Sequence, residues 1–287
     1  MKVLLTGSEG FVGRHFQKIL PEDWDVICLD FKRGVDVRDI FRSSNTHFDW
    51  IIHLAAVVGG RETIDREPLK VAVDLSIDAE LFQYALRTKP SRLIYFSSSA
   101  AYPVNLQTHC CSSKLTESDI DLSDMCSPDM TYGFAKLAGE YQAKFLQEAG
   151  VRTHVFRPFS GYGPDQDLTY PFPSFIQRAK NLEYPFTIWG DGSAVRDFIH
   201  IDDIVRAVLA AVDNDVEGPV NLGTGVPTSF YSLAKLVCRT AGYSPLMNNL
   251  IDKPEGVKYR VADARKMRSF YLPKISLEEG IKEALYT

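Results

Sequence analysis

Met1-Lys2-Val3-Leu4-Leu5 runs directly into Thr6-Gly7-Ser8-Glu9-Gly10-Phe11-Val12-Gly13, and an amphipathic stretch continues from Phe11 to Leu20. The apolar run is too short for a secretory signal and has no cleavage region after it. It reads as a buried parallel strand. The sequence therefore predicts strand, glycine turn, helix. Glycine is required where backbone turns tightly and approaches a pyrophosphate, and the helix N-terminus then faces the negative charge. The spacing is G-x-x-G-x-x-G rather than G-x-G-x-x-G. Gly7, Gly10 and Gly13, with Phe11 and Val12 between them, are the candidate dinucleotide contacts.

The next segments extend that reading. Asp25-Val26-Ile27-Cys28-Leu29-Asp30 is a second strand that ends in an acid. A carboxylate there bonds the adenosine ribose hydroxyls and repels a 2′-phosphate, which favours NAD over NADP. Lys32 and Arg33 follow at once and could tolerate a phosphate. Asp36 and Val37 fall where the chain crosses toward the adenine. A third strand, Trp50 to Ala56, ends in Leu54, Ala55 and Ala56, small enough for a cofactor to lie close. His53 within it reads as a packed core histidine.

Tyr132 and Lys136 are four residues apart in Thr131-Tyr132-Gly133-Phe134-Ala135-Lys136. On a helix they share one face. A lysine cation there favours tyrosinate over phenol. Ser97-Ser98-Ser99 follows the apolar run Leu93-Ile94-Tyr95-Phe96 and could place a hydroxyl on the same substrate oxygen. Such a group is a base for an alcohol proton.

Composition sets the limits. The chain has 287 residues and a formal net charge of −5 without a basic block, so nothing supports nucleic-acid binding. No apolar stretch approaches the length of a membrane span. Cys28, Cys110, Cys111, Cys126 and Cys238 lack metal-ligand spacing, and the six histidines are scattered. They read as reduced thiols of a cytoplasmic protein without a structural metal.

Strands and helices alternate to about residue 160, which predicts an α/β fold with a parallel sheet covered on both faces. Pro68 to Arg87 reads as one long helix and Thr131 to Ala149 as another. Aromatics and prolines cluster between Phe159 and Trp189, where the chain leaves the sheet. The expected division is a dinucleotide domain over 1–160 and about 194–225, and a smaller substrate domain over 161–193 and 226–287.

These segments in this order resemble the extended short-chain dehydrogenase/reductase family, in its NAD-dependent epimerase/dehydratase branch acting on nucleotide sugars. The likeness spans nearly the whole chain. Besides the segments above it rests on Arg157-Pro158, Gly161-Tyr162-Gly163-Pro164, Gly190 to Phe198, Asp202-Asp203 and Asn221-Leu222-Gly223-Thr224-Gly225. The resemblance implies a doubly wound Rossmann domain with a C-terminal substrate-binding domain. It implies NAD as cofactor, with Pro158 beside it. It also implies a homodimer through helices about 68–87 and 131–149.

The resemblance assigns roles residue by residue. Tyr102 sets the register that makes Ser98 the catalytic hydroxyl, with Ser97 and Ser99 as local competitors. Ser98 would hold the sugar 4-hydroxyl, Tyr132 would take its proton, and Lys136 would bond the nicotinamide ribose. Arg196 matches the arginine that holds the nucleotide diphosphate; the other reading is an ion pair with Asp197 or Asp202. Lys253 and Arg260 are further diphosphate candidates, and Ser99 and Ser160 are substrate contacts, Ser160 standing where the family usually has Asn. Arg61 either reaches the sugar or is a surface arginine.

The branches differ in the chemistry after oxidation. A 4,6-dehydratase carries an acidic pair after the catalytic hydroxyl, where this chain has Ser99 and Ala100. A 3,5-epimerase of the GDP-fucose synthase type carries a Cys, aligned with Ala100, and a His, near Tyr170. The remaining chemistry is a 4-epimerase. Val57-Val58-Gly59-Gly60, Tyr102-Pro103 and Lys253-Pro254-Glu255-Gly256 lean toward the GDP-fucose synthase branch, so 3,5-epimerase/4-reductase and dehydratase stay open as alternatives. So does a non-catalytic NAD-binding sensor or scaffold. His109, Cys110 and Cys111 stand as further sources of a catalytic group.

Overall fold

A computed structural model describes residues 1–59, 61–108, 113–124 and 126–287, with the side chains of 61–63 excepted. Gly60, His109, Cys110 and Cys111, and the side chain of Arg61, lie outside the described residues.

The chain opens with β1 (Lys2–Thr6), α1 (Phe11–Ile19), β2 (Asp25–Leu29), α2 (Val37–Ser43) and β3 (Trp50–His53). Next come α3 (Arg61–Arg66), α4 (Pro68–Val71), α5 (Val73–Thr88), β4 (Arg92–Phe96), α6 (Met130–Glu148), β5 (Thr153–Pro158) and β6 (Ser160–Tyr162). The rest is α7 (Pro171–Lys180), β7 (Phe186–Trp189), β8 (Val195–His200), α8 (Ile201–Asp213), β9 (Val220–Leu222), β10 (Pro227–Ser229) and α9 (Phe230–Thr240), then β11 (Met247–Leu250), β12 (Tyr259–Arg260), α10 (Arg265–Arg268) and α11 (Leu277–Tyr286).

The main sheet has six strands in the order β2-β1-β3-β4-β5-β9, all parallel. Alternate residues of β1 explain why it is covered on both faces. Val3 and Leu5 pack into a cluster with Phe16 of α1 and Ile204, Val205 and Val208 of α8. Leu4, between them, packs with Phe41 of α2 and Leu81 and Phe82 of α5 on the other face. All three β1 side chains are fully buried. A strand buried on both sides must be apolar throughout.

The chain leaves β1 to one side for β2 and returns on the other side as β3. Ligands bind beyond the carboxyl ends of strands at such a reversal. Gly7 and the segment Leu54–Ala56 sit there. A third apolar cluster is separate. It joins Phe172 and Phe175 of α7, Phe186 and Ile188 of β7, Leu233 and Val237 of α9, and Ile281 and Leu285 of α11. Met267 of α10 packs in the main-sheet cluster instead. The smaller sheets are β10-β8-β12, with β6 also on β8, and the pair β7-β11.

Two expected elements are corrected. Pro68 to Arg87 is not a single helix: α4 ends at Val71, and α5 begins at Val73. Ala72 closes α4 through its N–H and also accepts from the Leu75 N–H, so the chain turns there. Asp74, just past the turn, accepts from the Val57 N–H at 2.6 Å and ties α5 to the loop after β3. The third strand is also shorter than read, because Leu54–Ala56 leaves the ladder after His53. Among the described residues no helix is long and apolar enough to cross a membrane.

Candidate active site

The glycine loop is shaped by contact distances. Gly7 has φ +69°, and a Cβ on it would lie 2.6 Å from the Leu54 carbonyl carbon and 2.7 Å from the Ala55 nitrogen. A Cβ on Gly13 would lie 2.3 Å from the Gly7 oxygen. The turn and the start of α1 therefore close only with glycine at both places. Gly10 precedes α1 and supplies no side-chain cap, while Phe11 and Val12 form its first turn, half-buried. Uncapped amides at a helix start suit an anion.

Asp30 is only 6% exposed, and its oxygens accept from the Glu9 and Lys32 N–H groups, each at 2.8 Å. It therefore stands beside the glycine loop at the end of β2. Each oxygen keeps a lone pair for a hydroxyl donor. These residues fit the pyrophosphate and ribose of a dinucleotide. Asp36 has another partner, since it caps α2 and pairs with Arg38 at 2.5 Å. Val37 is buried in the cluster under α2 and α5. The Thr6 hydroxyl accepts from the Leu54 and Ala55 N–H groups, both at 3.3 Å, and so holds the Leu54–Ala56 segment against β1. Pro158 ends β5 beside Leu222 of β9.

The serines resolve by their partners. Ser97 is 2% exposed, and its hydroxyl donates to Glu140. Ser98 begins a tight turn through Ser99, Ala100 and Ala101, its oxygen accepting from the Ala100 N–H at 3.1 Å. Its hydroxyl lies close enough to the Tyr132 phenol to favour the ionised form of that phenol. Ser99 and Ala100 are both buried in that turn.

Helix α6 reaches this turn because Gly133 lacks a side chain: a Cβ there would sit 2.2 Å from the Ala100 oxygen. The helix is anchored one turn beyond Lys136. Arg157 of β5 is 1% exposed and grips both Glu140 oxygens, at 2.9 and 2.6 Å. It also donates to the Tyr102 hydroxyl at 3.0 Å.

Lys136 is 4% exposed and lies over the rings of Tyr132, at 5.9 Å, and Tyr95, at 5.5 Å. Burial works against its charge, but Asp78, Tyr132 and Asp74 together outweigh it and raise its pKa. Burial also pushes the Tyr132 phenol above its ordinary value, with the Lys136 cation and the Ser98 hydroxyl pulling it down. The free protein thus holds a neutral phenol beside a cation. Any added positive charge at the site moves it toward tyrosinate.

Asp74 and Asp78 were not legible as site residues. They lie one turn apart on α5, each 1% exposed. Asp78 accepts from the Tyr95 hydroxyl at 2.5 Å and lies 3.4 Å from His53 Nε2. Burial pushes the Asp78 carboxyl up, but His53, Lys136 and Tyr95 outweigh it, and its pKa is lowered. Burial dominates at Asp74 and pushes it up to about 6. The only available signal was two acids at i and i+4 within an apolar helical pattern. His53 is core, bonded to Thr6 at 2.9 Å and stacked on Tyr95.

The substrate candidates gather on the smaller sheets. Arg196 of β8 and Arg260 of β12 are register partners on adjacent parallel strands. Arg196 donates to the Val195 and Glu255 carbonyls and lies over the Phe230 ring at 5.2 Å. Asp197 accepts from Thr224, Gly225 and Ala262, and Asp202 bonds His15 and Arg206. Arg260 is held by Gln107 and by Asp129, the residue before α6, at 2.8 Å. Lys253 lies over the Trp189 ring at 5.5 Å. Ser160 begins β6 opposite Phe198. Tyr170 precedes α7 and is close enough to Tyr132 for the two phenols to interact electrostatically.

Residues 3–223 match the NAD dependent epimerase/dehydratase family. The chain is similar to GDP-L-fucose synthase 1 of Arabidopsis thaliana, 26% identical over 302 residues and covering 98% of this chain and 91% of the relative. It is similar to GDP-mannose 3,5-epimerase of Arabidopsis thaliana, 27% identical over 308 residues and covering 98% and 80%. Among solved structures it is similar to the UDP-glucose 4-epimerase of Thermotoga maritima with UDP-glucose, with a TM-score of 0.83 at 27% identity, covering 100% of this chain and 98% of that one.

Proposed function

The chain belongs to the NAD dependent epimerase/dehydratase family, and from that premise we propose that it is an NAD-dependent nucleotide-sugar 4-epimerase. NAD, when bound, would accept hydride from sugar C4 and return it to the opposite face. Gly7, Gly10 and Gly13 would take its pyrophosphate, Asp30 its adenosine ribose, and Lys136 its nicotinamide ribose. Ser98 holds the 4-hydroxyl oxygen. Tyr132 removes the hydroxyl proton as hydride leaves, and gives it back when hydride returns. Arg196, with Lys253 and Arg260 nearby in the chain's smaller domain, binds the diphosphate; a guanidinium suits two phosphate oxygens.

One observation carries the choice of reaction. The two residues after Ser98 are Ser99 and Ala100, buried in the same turn, so that turn presents neither a carboxylate nor a thiol to the sugar. Dehydration needs an acid for the departing hydroxyl, and inversion at C3 or C5 needs a base for a carbon-bound proton. Neither group is supplied there. The runner-up is a 3,5-epimerase/4-reductase. It is favoured by Tyr170, a second phenol beside Tyr132, and by the similarity to GDP-fucose synthase and GDP-mannose 3,5-epimerase relatives.

The test is a panel of UDP- and GDP-sugars incubated with protein and NAD in deuterated water and followed by proton NMR. The expected product is a C4 epimer without solvent deuterium on carbon. Deuterium at C3 or C5 selects the runner-up, and a 4-keto-6-deoxy product selects dehydration.

A further inference from the structure

Two cations, Lys32 and Arg33, follow Asp30 at the end of β2, where the 2′-position of an adenosine ribose would lie. By sequence alone they could receive a 2′-phosphate. The structure shows what occupies them. The Arg33 guanidinium forms an ion pair with the Glu9 carboxylate. The Lys32 ammonium donates to the Glu9 carbonyl at 3.4 Å. The Glu9 N–H is itself held by Asp30 at 2.8 Å. Glu9 thus fastens the middle of the glycine loop to the end of β2 through three different atoms. Its carboxylate is partly covered, the side chain 30% exposed against 52% for Arg33.

We propose that Glu9 is a cofactor-selectivity residue, which excludes a 2′-phosphorylated dinucleotide by holding Arg33. The inference rests on the reading of this site as a dinucleotide site. The charge balance carries it. Asp30 and Glu9 supply two negative charges at this corner, against which Lys32 and Arg33 supply two positive ones. A 2′-phosphate brings close to two further negative charges at neutral pH. It needs a guanidinium free to make a two-point contact, and Glu9 already holds that of Arg33. A free 2′-hydroxyl needs only an acceptor, which Asp30 supplies. Asp30 alone would repel the phosphate while leaving Arg33 available to answer it. Glu9 removes that answer.

The experiment is direct binding of NAD and NADP to the whole chain, read by protein fluorescence or calorimetry. The proteins are wild type, Glu9→Gln and Glu9→Gln/Arg33→Ala. Glutamine keeps the size of the side chain and its backbone bond to Asp30, and loses the charge that holds Arg33. Wild type is expected to prefer NAD. Glu9→Gln is expected to tighten NADP binding about tenfold, the scale of one released charge-assisted contact, with NAD affinity unchanged within about threefold. Adding Arg33→Ala is expected to abolish the gain. Unchanged NADP affinity in Glu9→Gln, with NAD still bound, overturns the proposal and leaves the dinucleotide site standing. A gain that survives Arg33→Ala overturns it as well, since the gain then does not come through Arg33. Wild type that binds neither dinucleotide defeats the site reading and takes the proposal with it.

Discussion

Lys136 is a buried cation that two buried acids keep charged. The proposed proton-abstracting pair therefore extends beyond Tyr132 and Lys136 into α5 and β4. The helical spacing made the pair legible in the sequence. Asp74 and Asp78 were not, because acids in a helix look like solvated surface until the fold lays α6 over them. Asp74 is raised by burial from an ordinary 3.8 to about 6. An acid with a raised folded pKa binds its proton more tightly in the fold than in the unfolded chain. Between those values the folded state holds a proton the unfolded state has lost, so Asp74 lowers stability as pH rises through that window. Asp74→Asn removes this slope. Urea unfolding from pH 4 to pH 8 should show the variant gaining on wild type as pH rises, by up to ~3 kcal/mol, the free energy of holding a carboxyl at about 6 instead of 3.8. Parallel stability curves for the two proteins would show that Asp74 titrates normally.

Helix α6 carries Tyr132 and Lys136, and its packing decides whether they meet Ser98. Two glycines admit it. Gly133 lets it touch the Ser99–Ala101 turn. Gly139 leaves room for the Tyr95 hydroxyl, which a Cβ would meet at 1.8 Å, and for Asp78, at 2.8 Å. The buried Arg157–Glu140 pair fixes its middle, and Asp129 fixes its start, through Arg260 and through its own N–H to the Ala100 carbonyl at 2.9 Å. Met130 enters the helix at φ +59°, a conformation that costs a non-glycine residue energy and that these contacts maintain. Alanine in place of Gly133 improves helix propensity by roughly 1 kcal/mol. The overlap with Ala100 outweighs that, and overpacking costs about 1–3 kcal/mol. Gly133→Ala should therefore lower the melting temperature and cut turnover more than tenfold. Calorimetry and a steady-state assay check this. Wild-type turnover in the variant would show that α6 need not lie so close. The Pro68–Arg87 reading failed at this scale. The apolar pattern runs unbroken through Ala72, and only the backbone bonds of Ala72 and the tie between Asp74 and Val57 account for the break between α4 and α5.

At the scale of the molecule, the parallel sheet was legible because each strand announces itself as an apolar run ending at a turn. The glycine loop was legible because its backbone contacts admit nothing larger. The smaller sheets were not foreseen strand by strand. β6, β10 and β12 are two or three residues long and form only by docking on β8. One face of α6 carries exposed apolar side chains. Met130, Phe134, Tyr141 and Phe145 are 40–49% exposed, at spacings that place them on one side of the helix. Leu69 of α4 and Leu86 of α5 are exposed too. This is the surface through which we propose the homodimer forms. Sedimentation at micromolar concentration should give a dimer for wild type and a monomer for Phe134→Glu/Phe145→Glu. A monomeric wild type, or a double variant that remains dimeric, would move the interface or remove it.

On the proposed reading the whole arrangement serves one act, the loss and return of hydride at a single carbon. A nucleotide sugar found active in the panel, labelled with deuterium at C4, tests that act most directly. Turned over with NAD in ordinary water, it should yield the C4 epimer with the label still on C4, and Tyr132→Phe should leave the starting sugar unchanged. Label lost to solvent, or a product altered at C3 or C5 with C4 unchanged, would contradict the account.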